Sequence, residues 1–301
     1  MSGRVIAVVG PTATGKSDLA VALAQRVDGE VINADSMQLY VGMDIGTAKL
    51  PPDERGGVEH HLLDIWPISK SAAVAEYQVL ARLAIAAIRE RGRLPILVGG
   101  SGLYLRGALD KLEFPGESPP IRARLYRELD EQGAPALHAR LAHLDPPAAA
   151  AILPTNGRRI VRALEVIELT GRPFTARMPG FESLYDCIQL GLDRADLDER
   201  IERRVHWMMR RGLLDEVRAL LPHGLRDSPT AGKALGYAQL LDVLDDAGAV
   251  TGDVDAAVEH TVRATRRFVR RQRSWFRRDP RVTWLDAAAP DLVEDALRRL
   301  G

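Results

Sequence analysis

Eight consecutive residues near the start of the chain, Gly10-Pro-Thr-Ala-Thr-Gly15-Lys16-Ser17, carry the complete spacing of a phosphate-binding loop, between a strand pattern and a helix pattern. The glycines let successive backbone N–H groups turn on an anion, and the following helix adds the positive end of its dipole. Gly10, Pro11, Thr12, Ala13, Thr14, Gly15, Lys16 and Ser17 are therefore the candidate cradle. Lys16 would act on the phosphates as a point charge, with Thr14 beside it, and the Ser17 hydroxyl would ligate Mg²⁺. Such a loop grips a diphosphate unit without reading the rest of the molecule, so ATP is only one possible occupant.

The usual second half of an ATP site is missing. An ATPase carries an acid at the end of an apolar strand to help hold Mg²⁺, whereas "LPILV" runs into "GGSGLY". The nearest acid is Asp35, in "NADSMQLY", after the second strand pattern. It has three readings: Mg²⁺ ligand, general base, or cap of the next helix. Gln38 is a bidentate amide suited to an adenine edge, or an ordinary surface glutamine. Ser101 is equally ambiguous, and Gly99, Gly100 and Gly102 imply backbone close to a ligand. In "RIERR" (200–204), Arg200 or Arg204 could reach a diphosphate, or pair with Glu199 and Glu202. His60 and His61 lack a second ligand pair at metal-binding spacing and read as structural or capping groups.

Several elements must hold these residues. Four short β-rich runs (4–10, 30–36, 94–100 and 187–193) alternate with helical patterns at Ser17–Arg26 and Val74–Arg91, and "VTWLD" (282–286) adds a late strand. The first three runs are almost continuously apolar, as strands covered on both faces of a parallel sheet are. The fold expected is α/β: a P-loop NTPase-like parallel sheet flanked by helices, with an inserted all-helical domain. Ligands in such sheets bind beyond the carboxyl ends of the strands, which would bring the P-loop, "ADSMQLY" and "GGSGLY" into one crevice. The insert is expected over 113–186, opened by "EFPGESPP", with helices at Ile121–Gln132, Pro135–His143 and Arg158–Thr170. The last begins after "PTNG" and stops at "TGRP". Residues 1–112 and 187–301 would form the core, with Leu197–Arg278 largely helical and a short helical tail after Asp286. Trp207, Trp275 and Phe276 read as core residues.

Composition bounds the rest. In 301 residues there is one cysteine, Cys187, so no disulfide can form within the chain, which fits a reducing cytoplasm. No run approaches the roughly 20 apolar residues of a membrane span, nothing resembles a dimer seam, and a monomer is expected. The formal net charge is zero, yet His260–Arg278 holds no acid while "RATRRFVRRQRSWFRR" is dense in arginine. A local basic block of this kind points to a polyanion on one face, or to a solvated helix face.

Together, "GPTATGKSDLA", "INADSMQLYVGMDIGTAK", "HHLLD", "PILVGGSGLYL", "RRIVRALEV", "TGRP", "LGYAQL" and "TRRFVRRQRSWFR" resemble the tRNA dimethylallyltransferases, in that family's order over nearly the whole chain. The resemblance implies transfer of a dimethylallyl group from dimethylallyl diphosphate to N6 of the adenosine 3′ of a tRNA anticodon. The P-loop would then hold a prenyl donor's diphosphate, with Arg204 reaching it, Mg²⁺ as cofactor and Lys16 and Thr14 at the reacting bond. Asp35 would be the general base on the acceptor amine. The resemblance further implies tRNA contacts by Asp35, Ser36, Met37, Gln38, Ser101, Arg122, Arg124, Arg158, Arg159, Arg162, Lys233, Gly236, Tyr237, Arg271 and Arg277, with the insert gripping the anticodon stem-loop. Arg158, Arg159 and Arg162 suit packing and phosphate contact equally on pattern alone. Competing readings are an isopentenyltransferase for free adenine nucleotides, a P-loop small-molecule kinase using ATP, and a non-catalytic RNA-binding protein with a relic loop.

Overall fold

A computed structural model describes residues 4–174 and 180–301. The stretch "MPGFESLYD" therefore begins, at Met178 and Pro179, outside the described residues. The chain forms two compact units, Met1–Asp110 with Ser183–Gly301, and Lys111–Glu182.

The first unit is built on a six-stranded sheet in the order β3-β2-β4-β1-β5-β6. Its strands are β1 (Arg4–Val9), β2 (Gly29–Asn33), β3 (His60–His61), β4 (Leu94–Gly99), β5 (Asp186–Asp193) and β6 (Val282–Asp286). Every pairing is parallel. The apolar runs have the cause inferred for them. Val5, Ala7 and Val9 of β1 enter one core and Ile6 and Val8 the other, because successive side chains leave a strand on opposite faces. One face is covered by α1 (Lys16–Val27) and by the helix at the C-terminal end of the chain, Leu292–Leu300. On the other face lie α2 (Val74–Glu90) and α3 (Gly102–Leu109).

The second unit contains α4 (Pro119–Gln132), α5 (Ala134–Leu144), α6 (Pro146–Ala151) and α7 (Gly157–Thr170). Leu125, Leu137, Leu141, Ile160 and Leu164 meet in its core. The local signals hold here. The Asn156 side chain accepts the Arg159 N–H and caps α7, and Gly171 ends the helix in the left-handed conformation (φ 65°). The seams expected at 112/113 and 186/187 lie two and four residues beyond the observed ones. Asp110 bridges to Ser183, and the Lys111 N–H donates to the Glu182 carbonyl. The chain thus leaves and returns as a short antiparallel ladder that no Gly or Pro signal marks.

Returning to the first unit, the chain forms α8 (Leu197–Arg210), α9 (Leu213–Leu220), α10 (Tyr237–Leu241), the long α11 (Val254–Phe276) and α12 (Leu292–Leu300). Asp253 caps α11, accepting from the Ala256 N–H at 3.0 Å. The helix α12 is the expected tail, and its Ala296 and Leu300 join the core against α1. No helix among the described residues is long and apolar enough to cross a membrane.

Candidate active site

The loop after β1 is held from its carbonyl side. The Pro11 carbonyl accepts hydrogen bonds from the buried Thr14 hydroxyl (2.9 Å) and from Lys16 Nζ (2.6 Å). The Ala13 carbonyl accepts from Arg200 Nε at 2.9 Å. No hydrogen bond among the described residues uses the N–H of Ala13, Thr14 or Gly15. These are the donors an anion needs, and α1 begins immediately behind them at Lys16. Gly10 is obligatory for a separate reason: a Cβ there would lie 2.4 Å from the Leu192 carbonyl oxygen of the neighbouring strand.

Burial and the Arg204 charge bring the Lys16 ammonium from 10.5 to about 7, with Asp35 opposing both. Arg204 is likewise pushed down by burial, and Asp35 and Asp18 oppose that shift. Lys16, Arg204 and Asp35 therefore share one electrostatic neighbourhood, short of negative charge. "RIERR" has settled against internal pairing: Glu202 binds Arg266 at 2.8 Å, leaving Arg204 without a carboxylate partner among the described residues. A cleft of about 390 Å³ opens beside Ala13 and Gly15, lined by Asp18, Arg200, Arg203, Arg204, Trp207 and Arg210. Trp207, expected in the core, is 43% exposed there, its ring 5.3 Å from the Arg211 guanidinium. It faces outward because the buried stripe of α8 is Leu197, Ile201, Val205 and Met208.

Asp35 follows β2 directly and is fixed by Asn33. The Asn33 side chain accepts the Asp35 N–H (2.9 Å) and donates to the Asp35 carbonyl (3.0 Å) and the Leu62 carbonyl (2.9 Å). Asp35 Oδ1 accepts the Met37 N–H at 3.0 Å. That is a turn cap and not a helix cap, since residues 36–39 form turns. Ser36 and Ser101 are tied together, through the Ser36 N–H (3.2 Å) and between the two hydroxyls (3.3 Å). Met37 is partly buried against the core.

Gln38 is neither a free bidentate reader nor a surface residue. Its Nε2 donates to the Thr47 (3.1 Å) and Ala48 (3.4 Å) carbonyls, which leaves only Oε1 to face a ligand. The loop that supplies those carbonyls is itself gathered by Glu216 of α9, whose carboxylate accepts the N–H groups of Asp44, Ile45 and Gly46 at 3.1, 2.7 and 3.1 Å.

Several sequence-assigned contacts need correction. Tyr237 is fully buried, its hydroxyl donating to Glu216, so it supports the 44–46 loop and offers no surface to RNA. Gly236 starts α10 in a positive-φ conformation (87°), while Lys233 is exposed. In the helical unit the buried Glu165 carboxylate gathers Arg122 (2.9 Å), Arg162 (2.8 Å) and the Ser118 N–H (2.9 Å). Burial raises the pKa of Glu165, but hydrogen bonds from Arg162, Ser118 and Arg122 outweigh it and hold the group below its ordinary range. Arg124 pairs with Glu128 and Glu168. Arg122, Arg124 and Arg162 thus each pair with a carboxylate of their own unit while remaining partly exposed, and Arg158 and Arg159 are exposed.

The glycines of "GGSG" also have another cause than the one expected. A Cβ on Gly99 would lie 2.3 Å from the Ala34 carbonyl oxygen, one on Gly100 2.3 Å from Gln272 Nε2, and one on Gly102 2.0 Å from Trp275 Nε1. Each of them admits protein at close range. Sequence reasoning also missed Asp193, at the end of β5. It binds Arg273 (2.7 Å) and Arg277 (3.3 Å) and so secures the arginine-rich helix. Arg277 is thus partly engaged, while Arg267, Arg270, Arg271 and Arg278 are exposed with no acidic partner among the described residues. The histidines hold no metal cluster among the described residues. Instead His61 meets the buried Glu30 at 2.6 Å on the edge strand β3, and His60 bonds the Val58 carbonyl at 2.9 Å.

Residues 38–279 match the profile of the IPP transferases. The chain belongs to the IPP transferase family. It is 67% identical over 293 residues to a tRNA dimethylallyltransferase of Streptomyces avermitilis, covering 97% of this chain and 93% of that one. Among solved structures, a tRNA isopentenylpyrophosphate transferase from Bacillus halodurans is 41% identical with a TM-score of 0.71, covering 100% of this chain and 97% of that one. A eukaryotic dimethylallyltransferase acting on tRNA is 26% identical with a TM-score of 0.81, covering 99% of this chain and 78% of that one. As an IPP transferase, the chain has no use for the acid that is missing after β4, since no phosphoryl group has to move.

Proposed function

We propose that the chain is a tRNA dimethylallyltransferase, moving the dimethylallyl group of dimethylallyl diphosphate to N6 of the adenosine immediately 3′ of the anticodon. The observation that carries this reading is the pairing of an unsatisfied anion loop with a carboxylate that is positioned from below. Ala13, Thr14 and Gly15 keep their N–H groups for a diphosphate, while Asn33 fixes Asp35 beside Lys16 and Arg204.

In the reaction the allylic C–O bond breaks and its electron pair leaves on the diphosphate. The loop N–H groups, Lys16 and Arg204 stabilise that growing charge. The lone pair of N6 forms the new N–C bond, and the proton released from N6 passes to the Asp35 carboxylate. Ser17 fits Mg²⁺: it lies on the first turn of α1, and its hydroxyl has no protein partner among the described residues. A single protein hydroxyl, with no metal-binding acidic cluster among the described residues, matches a cation held mainly by substrate phosphates. Bound there, Mg²⁺ would supply further neutralisation of the leaving group. The target base has to leave its stack to reach Asp35, and the arginines of α11 without acidic partners offer the RNA phosphates a surface.

The test is an incubation of the protein with Mg²⁺, unmodified tRNA, AMP as a competing acceptor and either labelled dimethylallyl diphosphate or γ-labelled ATP, followed by nucleoside and nucleotide analysis. Prenyl label on an adenosine beside the anticodon is expected. Label on AMP but not on tRNA, or phosphoryl transfer alone, would overturn the reading.

A further inference from the structure

The helix that carries the exposed arginines also reaches into the floor of the site. Gln272 of α11 is 5% exposed in the middle of a run of arginines, and both ends of its amide are used. Oε1 accepts the Thr12 N–H at 3.0 Å, and Nε2 donates to the Gly100 carbonyl at 3.0 Å. One turn further on, Trp275 fills the space over Gly102. A single side chain therefore bridges the loops that follow β1 and β4.

The Thr12 N–H and the Pro11 carbonyl belong to one peptide plane. Because that plane is rigid, fixing its N–H fixes the direction of its C=O on the other side. The same Pro11 carbonyl receives Thr14 Oγ1 and Lys16 Nζ. Gln272 thus holds one edge of a peptide whose other edge holds the lysine of the loop. The Gly100 end adds a link to Ser101, which bonds Ser36 next to Asp35.

We propose that Gln272 is a positioning residue for diphosphate binding: it sets the Pro11–Thr12 peptide, and through it Lys16 and the N–H groups of Ala13, Thr14 and Gly15. The proposal deepens the prenyltransferase reading and rests on the P-loop being an anion site. It assigns neighbouring positions of α11 to separate tasks, with the buried Gln272 toward the diphosphate loop and the exposed Arg271, about 100° round the helix, toward RNA.

Inorganic pyrophosphate with Mg²⁺ is the probe for one task and unmodified tRNA for the other, each titrated calorimetrically into the wild type, Q272M and R271A. Methionine keeps the length of the side chain and removes both hydrogen bonds, and a melting curve confirms that the variant is folded. Q272M is expected to weaken pyrophosphate about 10-fold, with two buried backbone groups left unpaired, and to leave tRNA affinity unchanged. R271A is expected to weaken tRNA and leave pyrophosphate unchanged. Wild-type pyrophosphate affinity in Q272M, or parallel loss of both ligands, would overturn the assignment. Failure of the wild type itself to bind pyrophosphate would instead remove the anion site on which the assignment and the proposed function both stand.

Discussion

In the proposed reaction Asp35 and Lys16 divide the chemistry between them, and each makes a different prediction. Asp35 has one carboxylate oxygen on the Met37 N–H, and its backbone is clamped by Asn33. Replacing it with asparagine keeps that geometry and removes the base. Asp35→Asn is therefore expected to lower kcat by about 10²–10⁴-fold with tRNA still bound, measured by single-turnover prenyl transfer; a near-normal rate would leave Asp35 as a turn cap only. Lys16 titrates at about 7 in the ligand-free loop. Between that value and its ordinary 10.5 the native state holds fewer protons than the unfolded chain, so this group makes the free protein more stable as pH rises through that window. Diphosphate favours the ammonium and reverses the balance. Pyrophosphate affinity is expected to fall as pH rises above about 7, by up to about tenfold per unit, with proton uptake detectable by titration in buffers of different ionisation enthalpy. A flat profile would separate Lys16 from the anion. Both residues were legible in the sequence, since the loop spacing and the strand end named them. Asn33 was not, because a buried asparagine at the end of a strand looks like any other strand-end polar residue until its partners are known.

At the scale of elements, the strands and most helices could be read from periodicity, and what escaped was the use made of their ends. Gly100 and Gly102 announce close approach in any reading, but only the packed structure shows that Gln272 and Trp275 are what approach. Asp193 looked like the polar end of a strand and is the anchor of α11. The pairing of Arg122 and Arg162 with a buried glutamate 43 and 3 residues away could not be read from the sequence, because arginine spacing is the same for a phosphate and for a carboxylate. The 44–46 loop gives the element-scale prediction. Glu216 gathers three of its N–H groups and the Tyr237 hydroxyl, and the next residues supply the carbonyls that hold Gln38. Glu216→Ala is expected to cost about 1–3 kcal/mol in denaturant unfolding and to lower kcat as Gln38 loses its support. A variant with wild-type stability would show that the loop holds its shape without the carboxylate.

The whole molecule has no net charge, yet its arginines are not evenly balanced by acids. Arg267, Arg270 and Arg271 on α11, and Arg278 just beyond its end, lie exposed without carboxylate partners among the described residues, so tRNA affinity should fall steeply with salt. Replacing any one of them by alanine is expected to reduce the slope of log K against log salt concentration by somewhat less than one, measured by filter binding over a salt series; unchanged slopes in all four would move the RNA surface elsewhere. The charge imbalance was visible in the sequence as an acid-free block, but which arginines stay available depended on where Asp193 and Glu202 fell in three dimensions. The short ladder at the seam, Asp110 against Ser183 with the Leu184 N–H on the Leu109 carbonyl at 2.8 Å, has an evolutionary consequence. The helical unit is inserted where a hairpin turn would suffice, so it can be gained, lost or exchanged between ancestors without redrawing the sheet. A descendant joined from Asp110 to Ser183 by a tight turn should keep the diphosphate loop, and with it the ability to be protected from heat by pyrophosphate, while losing whatever the insert contributes to choosing a substrate.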